Sequence, residues 1–219
     1  MSTPRPFVVR ELGLMPYADA LGVQEDAVKA RRAGEIPDTL FLVEHPHVIT
    51  LGSSSHPEHV LVDADERARK GIELFDTGRG GDVTYHGPGQ LVAYPVLDLK
   101  PDRKDLHAYL RDLEGVVIDV VASYGVPAER SEGQTGVWTP GGKIAAIGVR
   151  VSSGWITSHG LALNVRTDLS YFGTIVPCGI ADRDVTSLER ELGREVPMAE
   201  VRDVLVEAFC ERFGAVRAG

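Results

Sequence analysis

A chain of 219 residues with 43% hydrophobic and 25% charged residues has the composition of an ordinary globular protein, not of a disordered or fibrous one. No apolar run approaches the roughly 20 residues that a bilayer-spanning helix needs, and no secretory signal or transit peptide is visible at residues 1–10. The net charge of −9 argues against nucleic-acid binding, which requires a basic surface. We therefore expect a cytoplasmic protein that binds neither membranes nor nucleic acids.

Short apolar runs and amphipathic segments predict the elements of the first half of the chain. Strands are predicted at 7–12, 39–44, 47–51, 72–77, 83–85 and 90–99, and helices at 16–32 and 63–70. Pro16 stands near the start of the first helix, while Gly34 and Pro37 close it. We expect the strand at 47–51 to pair with the strand at 39–44.

The second half begins with the clearest helix of the chain, at 105–124, where aliphatic residues recur at helical spacing. A β region with turns at 140–142 and 152–154 covers 136–165, and helices are predicted at 184–192 and 198–213. Helices and antiparallel strands alternate without a regular βαβ rhythm. The pattern therefore predicts an α+β fold with a mixed or antiparallel sheet.

The first candidate for a binding segment lies at 79–91, with the sequence Arg-Gly-Gly-Asp-Val-Thr-Tyr-His-Gly-Pro-Gly-Gln-Leu. Its four glycines allow the backbone to approach a ligand closely. Arg79 offers a planar cation, and Tyr85 and His86 add flat apolar surfaces with polar tips. From the residues alone, a binding loop and an ordinary hairpin with glycine turns are equally compatible with this run.

Lys143 follows a tight turn at 140–142 and enters an apolar strand, where Ala145, Ala146 and Gly148 leave space beside it. A lysine in such a position is more often a solvated charge at the end of a hairpin. The alternative is a lysine in a partly apolar cleft, where it can act as a base.

Cys178 is the candidate nucleophile, because it lies between Pro177 and Gly179 in a predicted loop and not within a periodic apolar stripe. The reactive form of a cysteine is its thiolate, which a nearby ammonium such as that of Lys143 would favour. Cys210 lies in a predicted helix between phenylalanines, where structural burial is the simpler role. Two cysteines are too few for a disulfide framework.

The histidines complete the set of candidate residues. His159 opens an apolar run at 158–165, as either a hydrogen-bonded residue at a strand end or a lining group of a pocket. Four others, His45, His47, His56 and His59, lie in proline-broken loops without a recognised zinc spacing. We therefore expect no metal site.

Together these motifs resemble the lipoyl(octanoyl) transferase family of lipoate biosynthesis. The resemblance covers most of the chain, with its anchor motifs at 79–91, 142–148, 159–165 and 177–179. Four ordered motifs of this length are specific, whereas any one of them would be weak. The resemblance implies one catalytic domain over residues 1–219, with the α+β fold of the biotin and lipoate protein ligases.

The resemblance also implies roles for individual residues. Cys178 would carry the acyl group as a thioester, with Lys143 as its catalytic partner. Three stretches would bind the acyl group: Arg79, Gly80, Gly81, Asp82, Val83, Thr84, Tyr85 and His86; Ala146, Ile147 and Gly148; and His159, Gly160, Leu161 and Ala162. No cofactor is implied.

The implied reaction moves an octanoyl or lipoyl group from octanoyl-acyl carrier protein to a specific lysine. The acceptors would be the lipoyl domains of 2-oxoacid dehydrogenase complexes and the glycine cleavage H protein. Because such partners are acidic, a local basic rim would have to offset the net charge of this chain. Arg79, Arg130, Arg150 and Arg183 are candidates, because they lie near the motifs in sequence.

Two other functions stay open. An ATP-dependent lipoate or biotin ligase would share the fold but needs no nucleophilic cysteine, so the Pro-Cys-Gly loop at 177–179 favours the transferase. A catalytically silent module that only binds carrier proteins would not need both Cys178 and Lys143.

Overall fold

The computed structural model describes residues 5–100, 102–176 and 184–217. Strands β1 to β10 are Arg5–Leu14, Asp38–Glu44, Val48–Leu51, Glu73–Asp76, Thr84–His86, Gln90–Val96, Val137–Thr139, Gly142–Val151, Thr157–Asn164 and Ala215–Arg217. Helices α1 to α5 are Tyr17–Ala33, Ala64–Lys70, Leu106–Ser123, Leu188–Leu192 and Met198–Phe213. Short 3-10 turns cover Pro57–His59 and Leu169–Thr174. Within these ranges, no helix is both long and apolar enough to cross a bilayer.

The strands form a large sheet and a small one. The large sheet has the order β10-β1-β2-β6-β9-β8-β7, and the small sheet has the order β4-β3-β5. The pairs β1–β10, β1–β2 and β3–β4 are parallel, and the other pairs are antiparallel. The predicted α+β fold with a mixed sheet is thus confirmed.

The predicted pairing of the strand at 47–51 with the strand at 39–44 is wrong. β2 already has a hydrogen-bonded neighbour on each side, β1 and β6, so it has no free edge. β3 instead pairs in the small sheet, where Ile49 lies opposite Leu74 of β4 and Tyr85 of β5.

The predicted helix at 184–192 starts four residues later, at Leu188. Val185 forms a parallel bridge with Lys143, and Ser187 caps the helix by accepting a hydrogen bond from the Arg190 N–H. Such a cap satisfies an amide that has no partner within the helix. The short strand β10 was not predicted from the sequence.

Three apolar clusters stabilise this arrangement. Alternate residues of the large sheet face opposite sides, so that Leu40 and Leu42 pack towards α3 and α5 while Phe41 and Val43 pack towards α1. A third group, here called the small-sheet cluster, lies under the small sheet and comprises Ile49, Val62, Ile72, Val83, Tyr85, Phe172 and Ile175. The large sheet therefore has a core on each face, and the small sheet has its own.

Helix α3 buries one carboxylate completely, that of Glu114. Its Oε2 accepts hydrogen bonds from Arg111 Nη1 (2.6 Å) and Arg130 Nε (3.0 Å). Its Oε1 accepts one from the Gly136 N–H (3.2 Å). The carboxylate therefore joins α3 to the backbone just before β7. Because this single carboxylate pairs with two partly exposed arginines, Arg111 and Arg130, the group keeps a net positive charge.

We expect Glu114→Gln to lower the free energy of unfolding by about 2 kcal/mol, because the buried amide NH₂ cannot accept the hydrogen bonds that a carboxylate oxygen accepts from Arg111, Arg130 or Gly136. Urea unfolding at neutral pH measures this difference. Glu132→Gln, which removes an exposed carboxylate nearby, is the matched control and should change stability by less than about 0.5 kcal/mol. Equal stability of the two variants would contradict the structural role of Glu114.

Candidate active site

A cleft lies between the α1 side of the large sheet and the segment 79–86, and its empty space, counted together with its opening to solvent, is about 500 Å³. Its sheet wall includes paired small residues on β8 and β9, where Ala146 lies opposite Ala162 and Gly148 lies opposite Gly160, and β6 adds larger side chains to it. The paired small side chains leave an open strip along the two strands, which is suited to a slender apolar ligand.

Most of the predicted binding residues line this cleft. They are Arg79, Gly81, Asp82, Val83, Thr84, His86, Ala146, Ile147, Gly148, His159, Gly160, Leu161 and Ala162, together with Lys143. Gly80 lies beside it, with its N–H donating to the Val149 carbonyl (2.9 Å). Tyr85 is buried in the small-sheet cluster, where its hydroxyl lies 2.7 Å from His47 Nδ1. Three lining residues were not predicted: Tyr17, Val92 and Tyr94.

Arg79 is buried, and its guanidinium ties the segment 79–86 to the small sheet. Nη2 donates to the Thr50 carbonyl (2.7 Å), and both Nη2 and Nε donate to the Thr50 hydroxyl. A side chain on Gly52 would meet Nη1 at 2.7 Å, so the guanidinium fits a space that only glycine leaves there. Arg79 therefore organises the cleft wall as well as placing a positive charge beside the cleft.

Lys143 is buried at this cleft and is not a solvated charge at a hairpin end. Its Nζ lies 5.1 Å from the centroid of the Trp138 ring. Its stem passes Gly136, where an added Cβ would lie 2.8 Å from Lys143 Cε. Its backbone N–H donates to the Asp184 carbonyl (2.9 Å), and its carbonyl accepts from the Thr186 N–H (3.0 Å). Lys143 therefore lies where the described chain resumes after residue 183.

The predicted nucleophile Cys178 lies outside the described residues, as do its neighbours Pro177 and Gly179 and the docking candidate Arg183. The described chain stops at Val176, whose N–H donates to the His59 carbonyl (2.8 Å). Cys210 is partly buried on α5 and packs against the core formed with α3 and α5, in line with a structural role.

A series of buried hydrogen bonds joins the cleft to the segment beside Lys143. His86 Nδ1 donates to Gln90 Oε1 (2.7 Å), Gln90 Nε2 to Asn164 Oδ1 (2.9 Å), and Asn164 Nδ2 to the Thr186 carbonyl (3.0 Å). Because the Gln90 oxygen can only accept, His86 carries its proton on Nδ1 and leaves Nε2 unprotonated. The series fixes both amides and one imidazole in a single orientation.

Three buried histidines lie at or behind this cleft: His86 and His159 line it, and His45 Nε2 lies 2.9 Å from the hydroxyl of the lining residue Tyr94. Burial lowers the pKa of His45 to about 4 and that of His86 to about 3. Burial, reinforced by the charges of Arg79 and Arg150, lowers the pKa of His159 to about 4. All three imidazole rings are therefore neutral at pH 7, and they add no positive charge to the site.

These depressed pKa values predict a fold that is sensitive to mild acid. Between pH 6.5 and pH 4, unfolded histidines bind protons that the folded ones do not, so the free energy of unfolding falls as the pH falls. At pH 5 we expect a loss of about 2 kcal/mol for each buried histidine. Melting curves from pH 7.5 to pH 5 test this, with the exposed His56→Ala variant expected to follow the wild type. A flat profile would contradict neutral burial.

His159 adopts a left-handed backbone conformation, with φ of 56°, which is uncommon for a residue other than glycine. Its N–H donates to Gln24 Oε1 (2.8 Å), and Gln24 is buried on α1. The next residue, Gly160, passes so close to β6 that an added Cβ would lie 2.1 Å from the Ala93 carbonyl oxygen. Sequence reasoning missed Gln24, whose only signal is an amide among the apolar positions of α1.

Two further features concern charge and metals. Among the predicted docking residues, Arg150 is exposed and lies over Gly78, at the outer edge of the 79–86 segment. In the described part of the chain, no group of three histidine, cysteine, aspartate or glutamate side chains is arranged to hold a metal ion.

Comparison with known proteins identifies the family. The family described as lipoyl protein ligase A/B catalytic domain matches residues 16–210. The chain is 55% identical over 208 residues to the octanoyltransferase of Rubrobacter xylanophilus, a match that covers 94% of this chain and 93% of that protein. A solved lipoate-protein ligase A with bound ATP superposes with a TM-score of 0.75 at 19% identity, over 99% of this chain and 88% of that one. The biotin protein ligase of Aquifex aeolicus with biotin and ATP gives a TM-score of 0.58 at 15% identity, over 94% of this chain and 70% of that one. The chain therefore belongs to the lipoyl protein ligase A/B catalytic domain family, and within it to the octanoyltransferases.

Proposed function

We propose that this acyltransferase moves an octanoyl group to a lysine in protein lipoylation, through a thioester on Cys178. The observation that carries the proposal is the cleft, whose strip of small residues on β8 and β9 leads past the buried Lys143. Each methylene that leaves water contributes about 0.8 kcal/mol, so an eight-carbon chain in this strip supplies several kcal/mol of binding.

In the first half-reaction the Cys178 thiolate attacks the thioester carbon of the donor. The carbon–sulfur bond of the donor breaks, and its thiolate leaves with the proton of the Lys143 ammonium, which becomes a neutral amine. Lys143 favours the Cys178 thiolate through its positive charge. Its burial against Trp138 and Gly136 supports this role, because a charge that is shielded from water acts more strongly on its neighbours.

In the second half-reaction the amine of the acceptor lysine attacks the acyl-enzyme. A lysine amine is mostly protonated at neutral pH, so a base must remove a proton before it can attack. Lys143 is neutral after the first half-reaction, so it can accept a proton from the acceptor amine. The products are an amide on the acceptor and the free thiol of Cys178.

The proposed reaction needs two protein partners, a donor and an acceptor of the acyl group. An acyl carrier protein is the general class of donor and a lipoyl domain the general class of acceptor. We propose octanoyl-acyl carrier protein as the donor, and the lipoyl domains of 2-oxoacid dehydrogenase complexes and the glycine cleavage H protein as acceptors. We assign the reaction to a single catalytic domain over residues 1–219 and place it in the cytoplasm. The exposed Arg150, at the edge of the cleft, is a candidate contact for an acidic partner.

Intact-mass analysis after mixing the protein with octanoyl-acyl carrier protein tests the proposal. The expected result is a gain of one octanoyl group without ATP, and the loss of this group when a lipoyl domain is added. An ATP-dependent ligase on the same fold would instead show no acyl adduct and would exchange pyrophosphate into ATP. That result would replace the transferase with the ligase.

A further inference from the structure

A histidine and an aspartate form a hydrogen-bonded pair beside the cleft. His59 Nδ1 lies 2.6 Å from Asp82 Oδ2, and the two side chains are 21% and 13% exposed. A carboxylate oxygen can only accept, so Nδ1 of His59 carries the proton. Nε2 of the neutral ring is then unprotonated and able to take up a proton. An imidazole oriented by a carboxylate is the usual arrangement of a general base.

The second oxygen of Asp82, Oδ1, is available to accept a hydrogen bond from a ligand. Asp82 lines the same cleft as Lys143, and its Oδ1 is buried without a hydrogen bond from any residue that the structure describes. A buried carboxylate oxygen without a donor costs free energy. A negatively charged group with one unused acceptor, at the edge of a cleft, suits a cationic donor such as an ammonium.

The backbone places this pair next to the end of the described chain at Val176. The Val176 N–H donates to the His59 carbonyl, and Val60 and Ile175 form an antiparallel bridge. The 3-10 turn that carries His59 and the segment 79–86 that carries Asp82 therefore meet beside Val176. Lys143 and the pair are thus two separate groups of ionisable side chains at one cleft.

We propose that Asp82 and His59 form the subsite that receives the amine of the acceptor lysine, an inference that rests on the proposed function. Asp82 binds the ε-ammonium, and His59 Nε2 takes one of its protons. The nitrogen lone pair then forms the bond to the acyl carbon, and the carbon–sulfur bond to the enzyme breaks. The nitrogen gives its second proton through Lys143 to the departing thiolate, so that an amide and a free thiol result. His59 returns its proton to water.

Single-turnover transfer from the preformed octanoyl-enzyme tests this subsite. Asp82→Asn keeps an oxygen that can accept from His59 but removes the charge, and His59→Gln removes the base. Each acyl-enzyme is mixed with a lipoyl domain or with hydroxylamine, a nucleophile that is uncharged at neutral pH. We expect both variants to slow transfer to the lysine by about 10²-fold and the reaction with hydroxylamine far less.

The matched control is Glu58→Gln, which removes an exposed carboxylate from the turn that carries His59 and should leave both rates unchanged. Transfer to the lysine at the wild-type rate in Asp82→Asn would overturn the subsite. So would an equal loss for lysine and hydroxylamine, because a purely structural role would not separate the two nucleophiles. If the wild-type protein forms no acyl-enzyme at all, the proposed function itself fails and the subsite fails with it.

Discussion

Cys178→Ser is expected to abolish octanoyl transfer, with a loss of at least ~10³-fold in the first half-reaction. A serine hydroxyl without a strong base is a far weaker nucleophile than a thiolate. Intact-mass analysis with octanoyl-acyl carrier protein should find no adduct on the variant, whereas the wild-type protein should gain one octanoyl group. Circular dichroism should be unchanged, because the sequence predicts a loop at Cys178, between Pro177 and Gly179, and such a residue is not expected to support a core.

Cys210→Ser is the matched control, since it makes the same change in the partly buried cysteine of α5. It should keep full transfer activity and lose a little stability, because a hydroxyl replaces a thiol against the core. Full activity in Cys178→Ser, or loss of the adduct only in Cys210→Ser, would rule out the thioester on Cys178.

Lys143→Met is expected to slow both half-reactions by about 10²-fold while leaving the fold intact. Methionine can fill most of the space of the lysine stem beside Gly136 and Trp138, but it has no ammonium and no base. The loss of the cation also disfavours the Cys178 thiolate. Iodoacetamide should therefore react more slowly with Cys178 in the variant at neutral pH.

Lys143→Arg separates charge from basicity, because arginine keeps the cation but does not release its proton. We expect it to recover part of the alkylation rate but little of the transfer to the acceptor amine. Transfer at the wild-type rate in both variants would show that Lys143 only fills space in the cleft wall.

Helices and strands are predicted well where the apolar periodicity agrees with the residues that begin or end an element. Asp105 precedes the clearest helical pattern and Asp63 precedes a short charged helix, and both cap helices in the structure. The prediction failed where the choice of partner depends on the rest of the fold. The residues of β3 are as apolar as those of any strand, and nothing local shows that β2 has no free edge.

Some residues of the candidate site could be predicted from the sequence and others could not. Lys143, His86 and the small residues of β8 and β9 stand in contiguous motifs and meet at one cleft in the structure. The pairing of His59 with Asp82, 23 positions apart, cannot be predicted from their spacing in the sequence. From the sequence alone, His59 is only a candidate metal ligand. Gln24 lies farther still, 135 positions from His159, in a helix without a functional motif.

The cleft has walls that are supported by different apolar clusters. Ala162 of the sheet wall packs with the residues beneath α1, whereas Val83 on the other wall packs in the small-sheet cluster with Ile49 and Phe172. A change of volume in the small-sheet cluster can therefore widen or narrow the cleft without contacting its occupant. During divergence, donor preference can drift through such distant substitutions, and a laboratory selection for longer or branched acyl donors should recover variants there as well as among the lining residues.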